Sequence, residues 1–269
     1  MDSGKRVDPI AVVKALKRIL PPHCILSDAE DTRPYECDSL TTYRQLPMIV
    51  ALPENEEQII GILQVCRQFQ LPVVPRGAGT GLSGGAMPVA NGLVLSTAKL
   101  NRLIRLDPIA RVAVVQPGVR NLAISDAAAH AGLYYAPDPS SQLACTIGGN
   151  LAENAGGVHC LKYGLTVHNV LRARVVTIDG EILELGGECL DSPGLDLLSL
   201  FIGSEGMLGI VTEISVKLIP KAATAQVILA SFDDIQKAGN AVAAIIAHGI
   251  DQVFCGGSII LHIFFWMEN

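Results

Sequence analysis

The segment Pro75-Arg76-Gly77-Ala78-Gly79-Thr80-Gly81-Leu82-Ser83-Gly84-Gly85-Ala86 holds five glycines in twelve residues. Glycine takes positive φ freely and lets the backbone approach a ligand, so successive amide N–H groups can converge on an anion. An apolar run, Leu71 to Pro75, precedes the segment, and Arg76 is its one charge. This combination suits a diphosphate gripped by main-chain donors, with Pro75, Arg76, Gly77, Ala78, Gly79, Thr80, Gly81, Leu82, Ser83, Gly84 and Gly85 as candidate binding residues. A flexible linker would be polar on both flanks, whereas this segment joins two apolar runs. Arg76 either neutralises a phosphate charge or caps the loop.

Gly79-x-Gly81-x-x-Gly84 satisfies the dinucleotide fingerprint, which needs a strand before it and a helix directly after it. Pro88 and Asn91-Gly92 interrupt any such helix, and Gly92-Leu93-Val94-Leu95-Ser96-Thr97 reads as a further strand. A Rossmann unit is therefore rejected. The loop is expected to be a helix-free, hairpin-like bend.

A chain of 269 residues buries a sizeable core in one large domain or two small ones. Its net charge of −6, without Lys/Arg clusters, argues against nucleic acid as a partner. No apolar stretch follows the basic N-terminal residues, so no secretory signal is expected, and the longest apolar run, Ile259 to Met267, is too short to cross a bilayer. The seven cysteines are dispersed without a Cys-x-x-Cys pair. They are expected to be reduced and mostly buried in a cytoplasmic protein, with no disulfide and no metal site.

Asp8-Pro9 opens an expected helix through Leu20, with Ile10, Val13, Lys17 and Leu20 on one face. A strand over 49–52 precedes a helix from the acidic turn at 53–57 to Phe69, whose apolar stripe is 59, 60, 62, 63 and 66. Strands follow at 71–75 and 92–97. Segments 103–106 and 112–116 read as a hairpin, and 121–131 as a helix ended by Gly132. Asp179-Gly180 joins 172–178 to 181–185 in a second hairpin, and 209–218 is another strand. A strand over 226–230 and a helix over 233–247 begin a new unit near Lys221. The fold class is α+β.

Two further segments are dense in small residues. Ala136-Pro137-Asp138-Pro139-Ser140-Ser141 leads to Thr146-Ile147-Gly148-Gly149-Asn150 and Asn154-Ala155-Gly156-Gly157, which let a flat ring lie against the backbone. Gly203-Ser204-Glu205-Gly206-Met207-Leu208-Gly209-Ile210-Val211 carries the third glycine element. His159 and His168 flank a Lys162 to Val167 segment and read more readily as hydrogen-bonded structural residues than as bases. Tyr134-Tyr135 reads as core rather than a stacking platform.

With these motifs in this order, from about Tyr35-Glu36-Cys37-Asp38 to Gly249, the chain resembles the FAD-linked oxidoreductases of the vanillyl-alcohol oxidase / p-cresol methylhydroxylase (PCMH) type. Within that family it is similar to the FAD subunits of bacterial glycolate oxidases, kin of D-lactate and D-2-hydroxyglutarate dehydrogenases. The resemblance implies a lead-in over 1–42, a PCMH-type FAD-binding domain of two α+β subdomains over 43–220, and the truncated start of an α/β cap over 221–269 with an atypical tail. It also implies flavin contacts from Pro137, Asp138, Ser140, Ser141, Thr146, Gly148, Gly149, Asn150, Ala155, Gly156, Gly157, Gly164, Thr166, Val167, Glu205, Gly206, Gly209, Ile210 and Val211. Thr166 and Val167 are expected to act through backbone groups. Since the glycine loop has no histidine, FAD is expected to be non-covalent.

The implied activity is hydride transfer from the Cα–H of glycolate or D-lactate to flavin N5, giving the 2-oxo acid. A second flavoprotein-like subunit and an iron–sulfur subunit are the implied partners, with peripheral attachment to the inner membrane through them. No catalytic residue is nominated, because the family's substrate-binding motifs are missing here, and the chain alone is expected to be inactive if truncated. Two rivals stay open: a non-catalytic FAD-binding fragment, and an NADPH-dependent flavin reductase on the same scaffold.

Overall fold

The computed structural model describes residues 7–189, 194–223, 225–248, 254–257 and 262–268. The first helix, α1 (Pro9–Leu16), starts as expected, with the Asp8 carboxylate accepting from Ile10 N at 3.0 Å and Pro9 in the first turn. It ends sooner than expected, and its buried face is Val12 and Leu16, continued by Leu20. The expected stripe was offset: Ile10 is 78% exposed and Lys17 lies outside, because packing against the next long helix selects the neighbouring face.

After β1 (Ile25–Leu26), the short α2 (Ala29–Thr32) and β2 (Ile49–Ala51) comes α3 (Glu56–Phe69). Asn55 caps α3 by accepting from Gln58 N at 2.9 Å, and Ile59, Ile62, Leu63, Val65 and Cys66 form its buried stripe. Ile60 packs at the margin of the same core. β3 (Val73–Arg76) and β4 (Leu93–Ser96) complete a sheet of order β1-β2-β4-β3.

β3 and β4 are parallel, with Val73 opposite Leu93 and Arg76 opposite Ser96. The connection over residues 77–92 is therefore a crossover, and the expected hairpin-like bend is corrected in that respect. A hairpin returns antiparallel, whereas this loop must travel back along the sheet to re-enter in the same direction. Such crossovers normally carry a helix; among residues 77–92 none forms. The loop backbone thus runs outside any helix or ladder at the carboxyl edge of β3.

The second sheet is antiparallel: β5 (Leu103–Asp107), β6 (Val112–Val115), β8 (Val170–Val176), β9 (Ile182–Gly186) and β10 (Ile210–Lys217), in the order β5-β6-β10-β8-β9. Asp107 Oδ1 accepts from Ile109 N and Ala110 N in the first hairpin turn, and Gly180, at φ +83°, makes the second. α4 (Asn121–Ala128), α5 (Ile147–Glu153) and α7 (Leu197–Phe201) pack on this sheet around Ile124, Ile147, Leu151, Leu198, Phe201 and Ile214. The short α6 (Cys160–Tyr163) lies between α5 and β8 in the chain.

The pairing of β7 (Leu133–Tyr134) with β11 (Ile219–Pro220) was not expected, since two-residue strands carry no periodicity to detect. Tyr135 is 2% exposed, as expected of core, while the ring of Tyr134 meets that of Tyr163 edge-on at 6.4 Å. Beyond these, β12 (Ala225–Ser231), α8 (Ile235–Ala247), β13 (Phe254–Gly257) and β14 (His262–Glu268) follow, and β14 runs antiparallel between β12 and β13. The atypical tail thus pairs as a strand where it is described, while 249–253, 258–261 and 269 lie outside the described residues. The cysteines depart from the expected burial. Cys24, Cys66 and Cys145 are buried and Cys37 is half-buried, whereas Cys160 and Cys189 are exposed.

One ion pair locks the parallel sheet's helix to the antiparallel sheet. Arg174 on β8 donates through Nε and a terminal nitrogen to both oxygens of Glu56 on α3, each at 2.9 Å, and Thr212 Oγ1 on β10 donates to Glu56 Oε2 at 2.6 Å. Burial alone would push the Glu56 carboxyl up, but the hydrogen bonds from Arg174 and Thr212 outweigh it and hold the group below its ordinary value. Such charge-assisted, two-point contacts contribute more than exposed pairs. We expect Glu56→Ala to lower the unfolding free energy by about 2–3 kcal/mol in urea titrations. Arg44→Ala, which removes the exposed Arg44–Glu36 pair, should cost no more than about 0.5 kcal/mol. Because the folded-state pKa is depressed, Glu56 stabilises at neutral pH and that contribution disappears as pH falls through the folded value. Glu56→Gln should flatten the loss of stability on acidification.

Candidate functional site: a cleft walled by glycine-rich loops

The backbone of the 77–85 loop is anchored from the side of residues 37–39. Ser39 N donates to Gly81 O at 3.1 Å, Ser39 Oγ to Gly79 O at 3.4 Å, and Gly84 N donates to the Asp38 carboxylate at 3.0 Å. Arg76 is 8% exposed and donates to Cys37 O at 2.8 Å and Ala86 O at 3.4 Å, with its guanidinium 5.6 Å from the centre of the Tyr35 ring. Burial lowers the Arg76 pKa, though a guanidinium remains charged. Of the two roles open from sequence, these contacts are those of a loop cap. Gly79 takes φ +70° and packs onto this guanidinium, so a side chain at 79 would collide with it.

What the anchoring leaves over is a row of donors. Among the described residues, no hydrogen bond engages the N–H of Gly77, Ala78, Gly79, Thr80 or Gly81. These residues line a cavity of about 200 Å³ whose opposite wall is formed by α5 and its lead-in, including Ser141, Thr146, Gly149, Asn150, Glu153 and Ala155. Thr146 Oγ1 and Asn150 Nδ2 are buried and have no hydrogen-bond partner among the described residues. The nearby Cys145 thiol, whose pKa burial raises, is only a weak acceptor for Asn150. Buried polar atoms without partners are costly and uncommon, so a cleft in which they accumulate beside free amides fits a polar, anionic guest.

A second cavity, of about 60 Å³, adjoins the first and shares Pro75, Gly77, Gly149, Ala152 and Glu205 with it. Its other walls are Arg76, Thr97, Pro117, Gly148, Leu151, Phe201, Ser204, Gly206, Gly209, Ile210 and Val211. The 203–209 segment is fastened to α5 by Gly203 N to Leu151 O and Glu205 N to Ala152 O, both 2.9 Å. Glu205 is a non-glycine residue at φ +54°, a conformation that costs energy and is concentrated at binding sites.

The site residues named from sequence divide accordingly. Leu82, Ser83, Gly84, Pro137, Asp138, Ser140, Gly156, Gly157, Gly164, Thr166 and Val167 line neither cavity. Asp138 accepts from His159 N at 3.1 Å and pairs with His159 Nδ1, and His168 Nδ1 accepts from Leu165 N at 3.0 Å. The amides of Thr166 and Val167, expected to serve a ligand, are consumed by Ala155 O and Asn154 Oδ1. Sequence reasoning missed Asp38, Pro139, Ala152, Glu153 and Ser204. Asp38, Pro139 and Ser204 stood inside quoted motifs, but a carboxylate that braces a loop amide 46 positions away leaves no local pattern.

The electrostatics are unusual for a phosphate site. Apart from the engaged Arg76, the lining contains no Lys, Arg or His, while the Glu153 and Glu205 carboxylates both approach Gly85. Ser83 Oγ donates to Glu153 at 3.0 Å. Main-chain donors, with the two carboxylates as acceptors for hydroxyl groups, are what this cleft offers.

Residues 47–186 match the family model described as an FAD binding domain. The chain belongs to that family. It is 59% identical over 244 residues to glycolate oxidase subunit GlcD of Escherichia coli (strain K12), covering 91% of this chain and 49% of that protein. The D-lactate dehydrogenase of Archaeoglobus fulgidus is 40% identical over 195 residues, covering 72% of this chain and 44% of its own length. The fold matches the crystal structure of p-cresol methylhydroxylase with substrate bound at a TM-score of 0.78 and 18% identity, covering 97% of this chain and 60% of that one. This chain spans about half the length of the curated relatives it matches. FAD is the cofactor of the family, and the free amides, the orphaned Thr146 and Asn150 groups and the scarcity of side chains on the cleft wall fit it.

Gly77 sets the spacing of the two walls, since a Cβ there would stand 2.5 Å from Thr146 Oγ1 and 3.5 Å from Gly149. Gly77→Ala is expected to weaken FAD binding about 10–100-fold, the equivalent of an overpacking penalty, in a fluorescence titration. Adding Thr146→Ala should recover part of that loss by removing the colliding hydroxyl. Equal loss in the single and double variants would count against the two-wall geometry.

Proposed function

We propose that this chain is the FAD-binding part of an oxidoreductase that converts 2-hydroxy acids of the glycolate and D-lactate class to 2-oxo acids. The observation that carries the proposal is the 59% identity over 91% of the chain to a glycolate oxidase subunit, together with a cleft whose donors suit a dinucleotide. Residues 43–220 are taken as the FAD-binding unit, with 1–42 as lead-in and 221–269 as the beginning of a cap.

In this proposal the amides of 77–81 hold the diphosphate, Thr146 and Asn150 supply side-chain hydrogen bonds to the nucleotide, and Glu153 and Glu205 accept from its hydroxyl groups. The second cavity is lined chiefly by apolar groups and suits a ring. FAD is taken to be held without a covalent bond, and the described lining of the two cavities offers no His, Cys or Tyr for one. When bound, FAD supplies the acceptor for the hydride that leaves the substrate Cα.

The cations that seat the carboxylate and the group that takes the hydroxyl proton are assigned to elements outside this cleft, whose one cation is committed to Cys37 and Ala86. The Escherichia coli relative is named as a subunit, which supports further chains as electron acceptors for this one. No helix among the described residues is long and apolar enough to cross a membrane.

The test is anaerobic spectroscopy of the FAD-loaded protein. Glycolate or D-lactate is expected to bleach the flavin absorbance when the remainder of the enzyme is supplied, and NADPH is expected to leave it unchanged. Bleaching by NADPH without a hydroxy acid would replace this proposal with the flavin-reductase alternative. Retention of FAD with no response to either acid, even in the assembled enzyme, would reduce the chain to a flavin-binding module.

A further inference from the structure

The 3-10 turn Pro22–Cys24 leads into β1, and Leu52 N donates to Cys24 O at 2.9 Å, so the turn lies against the segment that follows β2. Glu54 stands just beyond β2, and Lys99 just beyond β4. The parallel sheet thereby gathers His23, Cys24, Glu54 and Lys99 at its carboxyl edge. None of the four lines either FAD-cleft cavity.

In this cluster the Lys99 ammonium sits against a carboxylate and a sulfur, with an imidazole beside the same carboxylate. Lys99 Nζ lies 2.8 Å from Glu54 Oε1 and 3.2 Å from Cys24 Sγ, and His23 Nε2 lies 3.6 Å from the same Glu54 oxygen. The ligand atoms of His23, Cys24 and Glu54 all fall within 4.8 Å of one another. One imidazole nitrogen, one sulfur and one carboxylate oxygen form the donor set preferred by borderline-soft divalent ions such as Zn²⁺. Cys24 is fully buried while His23 and Glu54 are exposed, so the sulfur forms the floor and the other two the rim.

Lys99 marks the position as one that attracts positive charge. Its ammonium meets the Glu54 carboxylate at 2.8 Å and the Cys24 sulfur at 3.2 Å, so a cation already sits against two of the three groups. An exposed Lys–Glu pair is weak and screened by salt, and a flexible ammonium stem swings away easily. No Cys-x-x-Cys spacing announces this cluster, which is why composition pointed to no metal.

We propose that His23, Cys24 and Glu54 form a binding site for a divalent cation of the zinc class, with Lys99 as the resident cation that the metal displaces. Binding joins the metal to Cys24 Sγ, the thiol proton leaves to solvent, and the Lys99 ammonium moves out still protonated. No electrons change hands. Three protein ligands leave the fourth tetrahedral position to water.

The test titrates the chelator-treated, FAD-loaded chain with Co²⁺, followed by displacement with Zn²⁺. Expected are tetrahedral Co²⁺ bands beyond the flavin absorption, a thiolate-to-metal band in the difference spectrum, and loss of both on adding Zn²⁺. Cys24→Ser should abolish the thiolate band. His23→Asn and Glu54→Gln, at exposed positions that fold independently of the site, should each weaken Co²⁺ at least about 100-fold. Lys99→Met should tighten it by about tenfold by removing the competitor. Flavin loading should be the same in the wild type and these exposed-site variants, which separates this result from the FAD assignment. Absence of saturable Co²⁺ binding, a thiolate band that survives Cys24→Ser, or an affinity indifferent to His23→Asn and Glu54→Gln would overturn the proposal. An unchanged affinity in Lys99→Met would remove the displaced-ammonium part of it.

Discussion

Five consecutive N–H groups, from Gly77 to Gly81, have no acceptor within the described chain, and the local architecture is organised around keeping them so. Their carbonyls are partly tied down by Ser39, the loop is braced at Gly84 by Asp38, and its root is pinned by the buried Arg76. A loop with this many glycines would otherwise sample many conformations, and ordering it on ligand binding would cost affinity. Fixing one side against residues 37–39 moves that ordering into folding. The donors are then presented in advance to whatever enters the cleft.

The opposite wall depends on a different set of contacts. α5 packs into the antiparallel sheet's core and carries the 203–209 segment through backbone hydrogen bonds, whereas the glycine loop grows from the parallel sheet. The relative position of the walls is thus a matter of how the two sheets meet. Glu56, Arg174 and Thr212 make that junction polar and directional, while Val176 and Ile210 of the antiparallel sheet reach into the parallel sheet's core and make it apolar. A cleft between two independently packed layers, joined by a few directional contacts, is a common location for nucleotide sites.

Much of this was legible in the sequence, for definable reasons. Long periodic elements such as α3 and the β8–β9 hairpin announce themselves through stripes, caps and the Asp179-Gly180 turn. The glycine loop and the absence of a helix behind it followed from Pro88 and Asn91-Gly92. What escaped were features set by partners distant in sequence. Nothing local tells that β4 inserts between β2 and β3, that α1 turns Ile10 outward, or that the Asp138 side chain is occupied by His159. The residues assigned to the flavin through family likeness follow the same division. Most of those on the two glycine walls reach the cleft, Leu82, Ser83 and Gly84 excepted, whereas those whose amides already serve the chain, such as Thr166 and Val167, do not.

The insertion of β4 between its neighbours carries an implication for how the molecule assembles. Within the described sheet β3 has a single partner, and that partner is β4. Until the later strand arrives, the earlier one is an open edge without a ladder, a shape prone to pair with other chains. Threading the glycine crossover is the event that gives β3 its one ladder and pairs the open side of β2, so the stretch of backbone that prepares for a nucleotide also joins the two edges that the earlier strands leave facing each other.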